Sequence, residues 1–164
     1  MKKNNKVIYL IFIIGLIYGC AGYKPIFSSS SLNFKIEEYK IEGDKMTANK
    51  IYSSLKRSEN YELTENELLA TNFFISTSKT KIETIKDKTG KVKEYKIIIK
   101  AKVEITKYLS DDILLNEIFE ASSNYKVQDN YSETVLLENR SIENLTETIS
   151  QNILNKLAVK ISSQ

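Results

Sequence analysis

Apolar and polar residues alternate along four stretches of the chain, a pattern typical of half-buried β-strands. The stretches lie at residues 32–41, 70–85, 95–105 and 113–127. The third is the most regular, since one face holds Tyr95, Ile97, Ile99, Ala101, Val103 and Ile105. Short turns join the last three stretches, at residues 86–91 and at Asp111-Asp112. The pattern therefore predicts an antiparallel meander with one solvated face.

Two details of the meander are predicted from its residues. Gly90 is expected to take a positive φ in the first turn, because glycine adopts that conformation without steric cost. The fourth stretch is expected to turn these apolar residues inward: Ile113, Leu115, Phe119, Ala121, Tyr125 and Val127.

Two further stretches carry apolar residues three and four positions apart, which predicts helices. The first follows Asp44, a candidate N-cap, and continues for about three turns to Leu55. The second carries the row Leu145, Ile149, Ile153 and Leu157, with Ser141 as a candidate cap. Residues 131–139 either extend this helix backwards or form a separate turn. The predicted fold is α+β, a two-layer sandwich of two helices on one face of a four-stranded, largely antiparallel sheet.

The N-terminus has the order of a secretory signal: basic residues, an apolar run at 7–18, then Gly19-Cys20. Twelve apolar residues are too few to cross a hydrocarbon core, which needs about 20. A small residue before the chain's one cysteine resembles a bacterial lipoprotein signal, in which the thiol is lipidated and cleavage precedes it. We expect Cys20 to carry the lipid and to anchor the chain to a membrane. The alternative is an uncleaved N-terminal anchor with an incidental cysteine.

This signal divides the chain into three parts. Residues 1–19 are the predicted signal peptide, and residues 20–31 form a lipidated tether that Pro25 stiffens and a serine run loosens. Residues 32–164 are predicted to be a single α+β domain, a length large enough to bury a core.

Removal of the signal changes the charge of the chain. Lys2, Lys3 and Lys6 account for the whole formal excess of +3. The mature chain is then neutral, and the basic pI gives no support for nucleic-acid binding.

Little in the composition points to catalysis. The chain contains no histidine, and lipidation would consume its one thiol. It also lacks a glycine-rich phosphate loop and a cluster with metal-ligand spacing, so we expect no enzyme activity, no metal and no cofactor.

Charge is distributed unevenly along the chain. Residues 79–100 contain eight lysines and three acids, whereas residues 111–148 contain nine acids and two basic residues. If Lys79, Lys81, Lys96 and Lys100 lie on one hairpin arm, they are placed to bind an anionic partner such as a phosphorylated glycolipid. The alternative is a solvated strand face whose lysines keep a sheet edge from aggregating.

With these elements in place, the chain resembles the LPS-assembly lipoprotein LptE family of Gram-negative outer membranes. Residues 22–27 (GYKPIF) are similar to the family's opening after the cysteine, and the element order and the long C-terminal helix are similar too. The resemblance implies a lipid-anchored protein on the periplasmic side of the outer membrane. It also implies an LptD-like β-barrel partner, for which the protein is plug and assembly partner, and a role in lipopolysaccharide transport. Ala21 fits sorting to the outer membrane.

A second function remains open from the sequence. The same chain could be a stand-alone periplasmic carrier or chaperone for lipids or lipoproteins. A carrier needs an apolar cavity that buries acyl chains, whereas the regular strand pattern predicts a filled core.

Overall fold

The computed structural model describes residues 32–59, 68–110 and 112–162. Four strands and two helices follow one another along the chain: β1 (Phe34–Gly43), α1 (Lys45–Arg57), β2 (Leu69–Lys86), β3 (Val92–Lys107), β4 (Ile113–Lys126) and α2 (Tyr131–Ser162). The predicted signal peptide and tether, with Cys20, lie outside the described residues.

The four strands form one sheet in chain order, β1-β2-β3-β4. β1 and β2 are parallel because α1 lies between them as a crossover, and the other two pairs are antiparallel hairpins. Both helices pack on the same face of the sheet, which we call the inner face; the other is the open face. The predicted α+β sandwich is therefore confirmed.

The junction of β1 and α1 is closed by a glycine and a cap. Gly43 has a φ of +79° and lies so close to β2 that a Cβ there would be 1.9 Å from the carbonyl oxygen of Thr77. Asp44 caps the helix, since its Oδ1 accepts a hydrogen bond from the Thr47 amide at 3.1 Å. Thr77 holds the same turn, because its carbonyl accepts from the Asp44 amide and its hydroxyl donates to the Asp44 carbonyl. The predicted cap is confirmed.

The core lies between the sheet and the two helices. The odd-numbered residues of β3 from Ile97 to Ile105 are all buried against the helices, as the alternation predicts. The predicted row on α2 is also buried, at Leu145, Ile149, Ile153 and Leu157. Phe34 and Phe73, with ring centroids 5.9 Å apart, fill the space below α1.

The start of α2 differs from one of the predictions. The helix begins at Tyr131, so residues 131–139 extend it backwards and Ser141 lies inside it rather than at its cap. Asn130 takes the capping position, since its Oδ1 accepts from the Ser132 amide at 2.9 Å. The extra turns are favoured by packing, because Thr134 is buried and Leu137 packs against the core.

The start of β4 also differs. The pairing of β3 with β4 shifts between Ile105 and Thr106, so that Ile105 pairs with Leu115 and Thr106 with Ile113. This bulge turns Leu114 inward and leaves Ile113 62% exposed. The predicted inward position of Ile113 is therefore wrong, because period-two alternation does not continue through a bulge.

Candidate functional site: the basic hairpin

The basic hairpin comprises residues 79–100, the distal part of β2, the turn and the first half of β3. Its turn is organised by Asp87, whose Oδ1 accepts from the Thr89 amide, the Thr89 hydroxyl and the Lys91 amide at 2.6–3.0 Å. The hydrogen bond from the Thr89 hydroxyl is the main reason that the pKa of Asp87 lies below its usual value. Gly90 has a φ of +86°, as predicted.

The four lysines predicted as site residues share this hairpin but divide between its two faces. Lys79 pairs with Ile99 and Lys81 with Ile97, so both project on the inner face. Lys96 pairs with Ile82 and Lys100 with Ser78, which places both on the open face. The structure thus places two of the lysines on each face and does not bring all four into a single cluster.

The inner pair is engaged with the helices. The Nζ of Lys79 lies 3.2 Å from a carboxylate oxygen of Asp44, the N-cap of α1. The Nζ of Lys81 lies 2.6 Å from Oε2 of Glu138 on α2. Each lysine therefore ties the hairpin to a different helix.

Lys81 belongs to a connected group that we call the Lys81 cluster: Lys81, Tyr95, Tyr125 and Glu138. The Lys81 ammonium lies 4.2 Å from the centroid of the Tyr95 ring, a cation–π contact. The Tyr125 hydroxyl donates to the same Glu138 oxygen at 2.7 Å. The two tyrosine rings stack with centroids 5.7 Å apart. One carboxylate and two rings thus surround one ammonium group.

The protonation states of the Lys81 cluster follow from this geometry. Burial, with the hydrogen bond to Glu138, raises the pKa of Tyr125 to about 12. Burial acts to raise the pKa of Glu138, but the hydrogen bonds from Lys81 and Tyr125 outweigh it, and the pKa falls below its usual value. Burial likewise opposes the charge of Lys81, yet its bonds to Glu138 and Tyr125 leave the pKa raised. At neutral pH the Lys81 cluster therefore consists of the Lys81–Glu138 ion pair and the neutral Tyr125 phenol. Its role is structural, since it links the hairpin to α2.

The open pair is differently placed. Lys100 lies 3.0 Å from Glu120 in a pair that is about half-exposed on both sides. Lys96 forms no ion pair with a carboxylate in the described parts of the chain, and the same is true of the turn lysines Lys88 and Lys91. These three are the described cations of the hairpin that can meet an external anion without first breaking a bridge. The number of lysines in the sequence suggested such a site, but their pairing partners could only come from the fold.

Several grooves lined by the described residues are open to solvent. A groove of about 200 Å³ lies on the open face beside Asn72, Phe74 and Glu104. One of about 510 Å³ separates the outer sides of α1 and α2 and carries Lys50, Arg57, Glu143 and Glu147. One of about 460 Å³ follows the β4 edge below Val159.

The part of the chain that the structure describes offers neither a cluster of metal ligands nor a helix suited to cross a membrane. Within residues 32–59, 68–110 and 112–162, no group of three or more acids is arranged to hold a metal ion. In the same part of the chain, no helix is both long enough and apolar enough to cross a membrane.

The fold is similar to solved structures that are described as lipoproteins. The chain is similar to the crystal structure of a predicted lipoprotein from Caulobacter crescentus CB15, with a TM-score of 0.60 and 9% identity over 82% of this chain and 95% of that one. It is also similar to the solution structure of an uncharacterized lipoprotein B from Nitrosomonas europaea, with a TM-score of 0.60 and 14% identity over 86% and 93% of the two chains. No protein-family model matches the chain, and no curated protein is similar to it in sequence. The family resemblance is therefore confirmed at the level of the fold.

Proposed function

We propose that the chain is an outer-membrane lipoprotein of the LptE type, anchored on the periplasmic side through Cys20. It acts as plug and assembly partner of an LptD-like β-barrel and takes part in lipopolysaccharide transport to the cell surface. The observation that carries the proposal is the lipoprotein fold shared over most of the chain. The opening at residues 22–27, directly after Cys20, supports it. The proposed role is non-enzymatic and needs no metal or cofactor.

The filled core supports a binding partner over a carrier. A lipid carrier has to bury acyl chains in an apolar cavity. Here the large side chains between the layers, such as Phe34, Phe73 and Ile149, are almost completely buried against one another. The groove between the helices is lined with charged side chains, which suit an acyl chain poorly.

The open sheet face suits a partner surface. It carries Phe74, Ile98 and Ile118 among lysines, serines and asparagines, and both helices lie on the other side. Faces of this mixed character are typical of protein interfaces, whose rims are polar and whose centres are apolar. A barrel wall is the partner that the family resemblance implies.

The open pair and the turn lysines are the part of the basic hairpin that suits lipopolysaccharide phosphates. Clustered cations raise the local concentration of an anionic ligand. Lys79 and Lys81 contribute less to such a site, because Asp44 and Glu138 already neutralise them. Lys96 is the member of the predicted four with no described bridge to break, and Lys100 is bridged only to the half-exposed Glu120.

Two double variants of equal charge test this division. Lys96→Gln/Lys100→Gln removes the open pair, and Lys79→Gln/Lys81→Gln removes the inner pair. Binding of purified lipopolysaccharide is measured for both and for the wild type, at low salt and near 1 M salt, where the screening length is only about 3 Å. We expect the open-pair variant to bind several-fold more weakly and to lose part of the salt dependence, because Lys88 and Lys91 remain at the turn. The inner-pair variant should bind nearly as the wild type does.

The same measurement can contradict the proposed site. If the open-pair variant, and a variant with all four lysines replaced, bind lipopolysaccharide as the wild type does, the lysines serve only to keep the sheet soluble. If the inner pair alone matters, the anion meets the hairpin on its inner face and the assignment to the open face is wrong.

A further inference from the structure

The end of the sheet opposite the basic hairpin exposes apolar side chains. The β3–β4 connection there carries Tyr108 and Leu109, and Ile113 follows at the start of β4. Leu109 is 92% exposed, the highest value among the large apolar residues described, and Ile113 is 62% exposed. We call Tyr108, Leu109 and Ile113 the apolar turn. The three residues lie close together in sequence, and contiguous exposed apolar side chains often mark an interaction surface.

The backbone holds the apolar turn in this outward position. The Tyr108 amide donates to the Ala70 carbonyl at 3.0 Å, and the Lys107 amide donates to the Asp112 carbonyl at 2.9 Å. Behind the turn, Ile105 and Leu115 already fill the core. The exposed side chains therefore have no vacant position in the core of their own domain.

The chain enters the domain at this same end. β1 begins at Phe34, which pairs with Leu69, and two residues further along β2, Thr71 pairs with Lys107. Leu32 thus lies at the end of the sheet that carries the apolar turn. Cys20 precedes Leu32 by 12 residues, which span at most about 40 Å when fully extended.

We propose that the apolar turn inserts into the interface of the leaflet that holds the Cys20 lipid, as a second, non-covalent membrane contact. The inference rests on the lipid anchor of the proposed function. Tyrosine favours the interfacial layer and leucine the acyl boundary below it. Because β2 spans 18 residues, or about 55 Å along the sheet, this contact would hold the basic hairpin far from the anchoring leaflet.

The tether favours a lipid surface over another protein as the occupant. A domain confined within about 40 Å of a leaflet meets that leaflet at a high effective concentration, so a weak contact of a few side chains is sufficient. A second copy of the chain would need a much larger surface, since stable interfaces bury about 800 Å² on each partner. Three side chains at a turn are far from that area.

The charges near the turn predict how the contact responds to salt. The turn carries Asp112, whose Oδ2 accepts from the Ser110 hydroxyl at 2.7 Å, and Lys107 lies beside it at the end of β3. The basic hairpin lies at the other end of the sheet. The contact should therefore be apolar in character and insensitive to salt. Attraction through the basic hairpin would instead weaken as salt rises.

A fluorescent probe at single sites tests the inference in the full-length protein extracted from membranes. Leu109→Cys, Leu136→Cys and Lys88→Cys place a thiol at the apolar turn, on an exposed apolar position of α2 and at the hairpin tip. Each thiol is labelled with a polarity-sensitive fluorophore, and the labelled wild type corrects for any reaction at Cys20. The proteins are reconstituted into zwitterionic phospholipid vesicles that contain lipids spin-labelled near the headgroup.

We expect the probe at position 109 to be quenched several-fold more strongly than the probes at 136 and 88, equally at low and high salt. Quenching at 109 no stronger than at 136 would overturn the inference. Mass spectrometry of the same samples reports the lipid on Cys20 separately. Lipidated protein without quenching at 109 refutes the turn contact but not the anchor, whereas quenching without lipidation refutes the anchor but not the contact. Absence of both overturns both.

Discussion

The contrast between two glycines gives a sharp prediction for the fold. Gly43 and Gly90 have nearly equal positive φ values, +79° and +86°. A Cβ at Gly43 would lie 1.9 Å from the Thr77 carbonyl oxygen, whereas a Cβ at Gly90 would have no neighbour within 4 Å. Gly43→Ala and Gly90→Ala therefore share the conformational strain, and only the first adds a steric clash.

The expected changes in the free energy of unfolding follow from the backbone strain and the steric clash. Alanine in the left-handed region costs about 1–2 kcal/mol, and the lower entropy of its unfolded state returns about 0.4–1 kcal/mol. Gly90→Ala should thus lower the free energy of unfolding by about 1 kcal/mol or less. At Gly43 the clash adds about 1–3 kcal/mol of overpacking. It also disturbs the hydrogen bonds between Asp44 and Thr77, each worth about 1 kcal/mol. We expect a total loss of about 3–5 kcal/mol.

Urea unfolding followed by circular dichroism measures the difference. With a slope of about 1–3 kcal/mol per molar urea, the two midpoints should lie about 1 M or more apart. Equal midpoints would refute the close approach of β1 to β2 at Gly43, and with it the parallel register of the first two strands. A larger loss at Gly90 would contradict the open position of the hairpin turn.

Three further predictions address the helix, the Lys81 cluster and the anchor. Leu145→Ala or Ile153→Ala should each cost about 2–5 kcal/mol of stability, whereas the exposed Leu136→Ala should stay within about 0.5 kcal/mol; similar losses at all three would show that α2 presents a different face. The folded-state pKa of Tyr125 is raised from 10.0 to about 12. The stabilisation that the neutral phenol gives to the folded state is therefore complete below pH 10, and it disappears as the pH rises through the folded-state pKa. Tyr125→Phe should therefore reduce the alkaline loss of stability in a pH series, and an unchanged series would remove Tyr125 as its source. Mass spectrometry of the membrane-extracted protein should find Cys20 lipidated at a new N-terminus; an intact Met1 or an unmodified Cys20 would contradict the anchor.

The layers and the core could be predicted because their signals are periodic. Alternation along β3 and the four-residue spacing on α2 each repeat over many residues, so single exceptions such as Ile98 do not hide them. Asp44 was predictable as a cap because aspartate directly precedes a helical pattern. These features depend on neighbours within the same element.

Features that depend on other elements were not predictable. The bulge that exposes Ile113 and buries Leu114 arises from the pairing of two strands, and nothing in the local alternation signals it. Glu59 is another case: this buried carboxylate accepts from the Ile36 amide at 2.7 Å, beside the register shift in β1, and bridges to Lys56 at 2.8 Å. Its partner in β1 lies 23 residues away in sequence.

The candidate site, like the fold, could be predicted from the sequence only in part. The excess of lysines in residues 79–100 was visible in the sequence, and so was their place on a hairpin. Their separation into an inner and an open pair depends on the strand register, since adjacent positions project on opposite faces. The bond of Lys81 to Glu138 joins residues 57 positions apart. Binding of an anion by Lys79, Lys81, Lys96 and Lys100 stays a prediction.

Co-purification from the native membrane tests whether the protein is the partner of an outer-membrane β-barrel. The full-length protein, tagged at its C-terminus, is extracted in mild detergent and isolated, and the proteins that accompany it are identified by mass spectrometry. A large outer-membrane β-barrel of the LptD type is expected in a fixed ratio to the tagged chain. A lipidated chain that is isolated alone, or with bound lipid but without a barrel, would contradict this role and favour the stand-alone carrier.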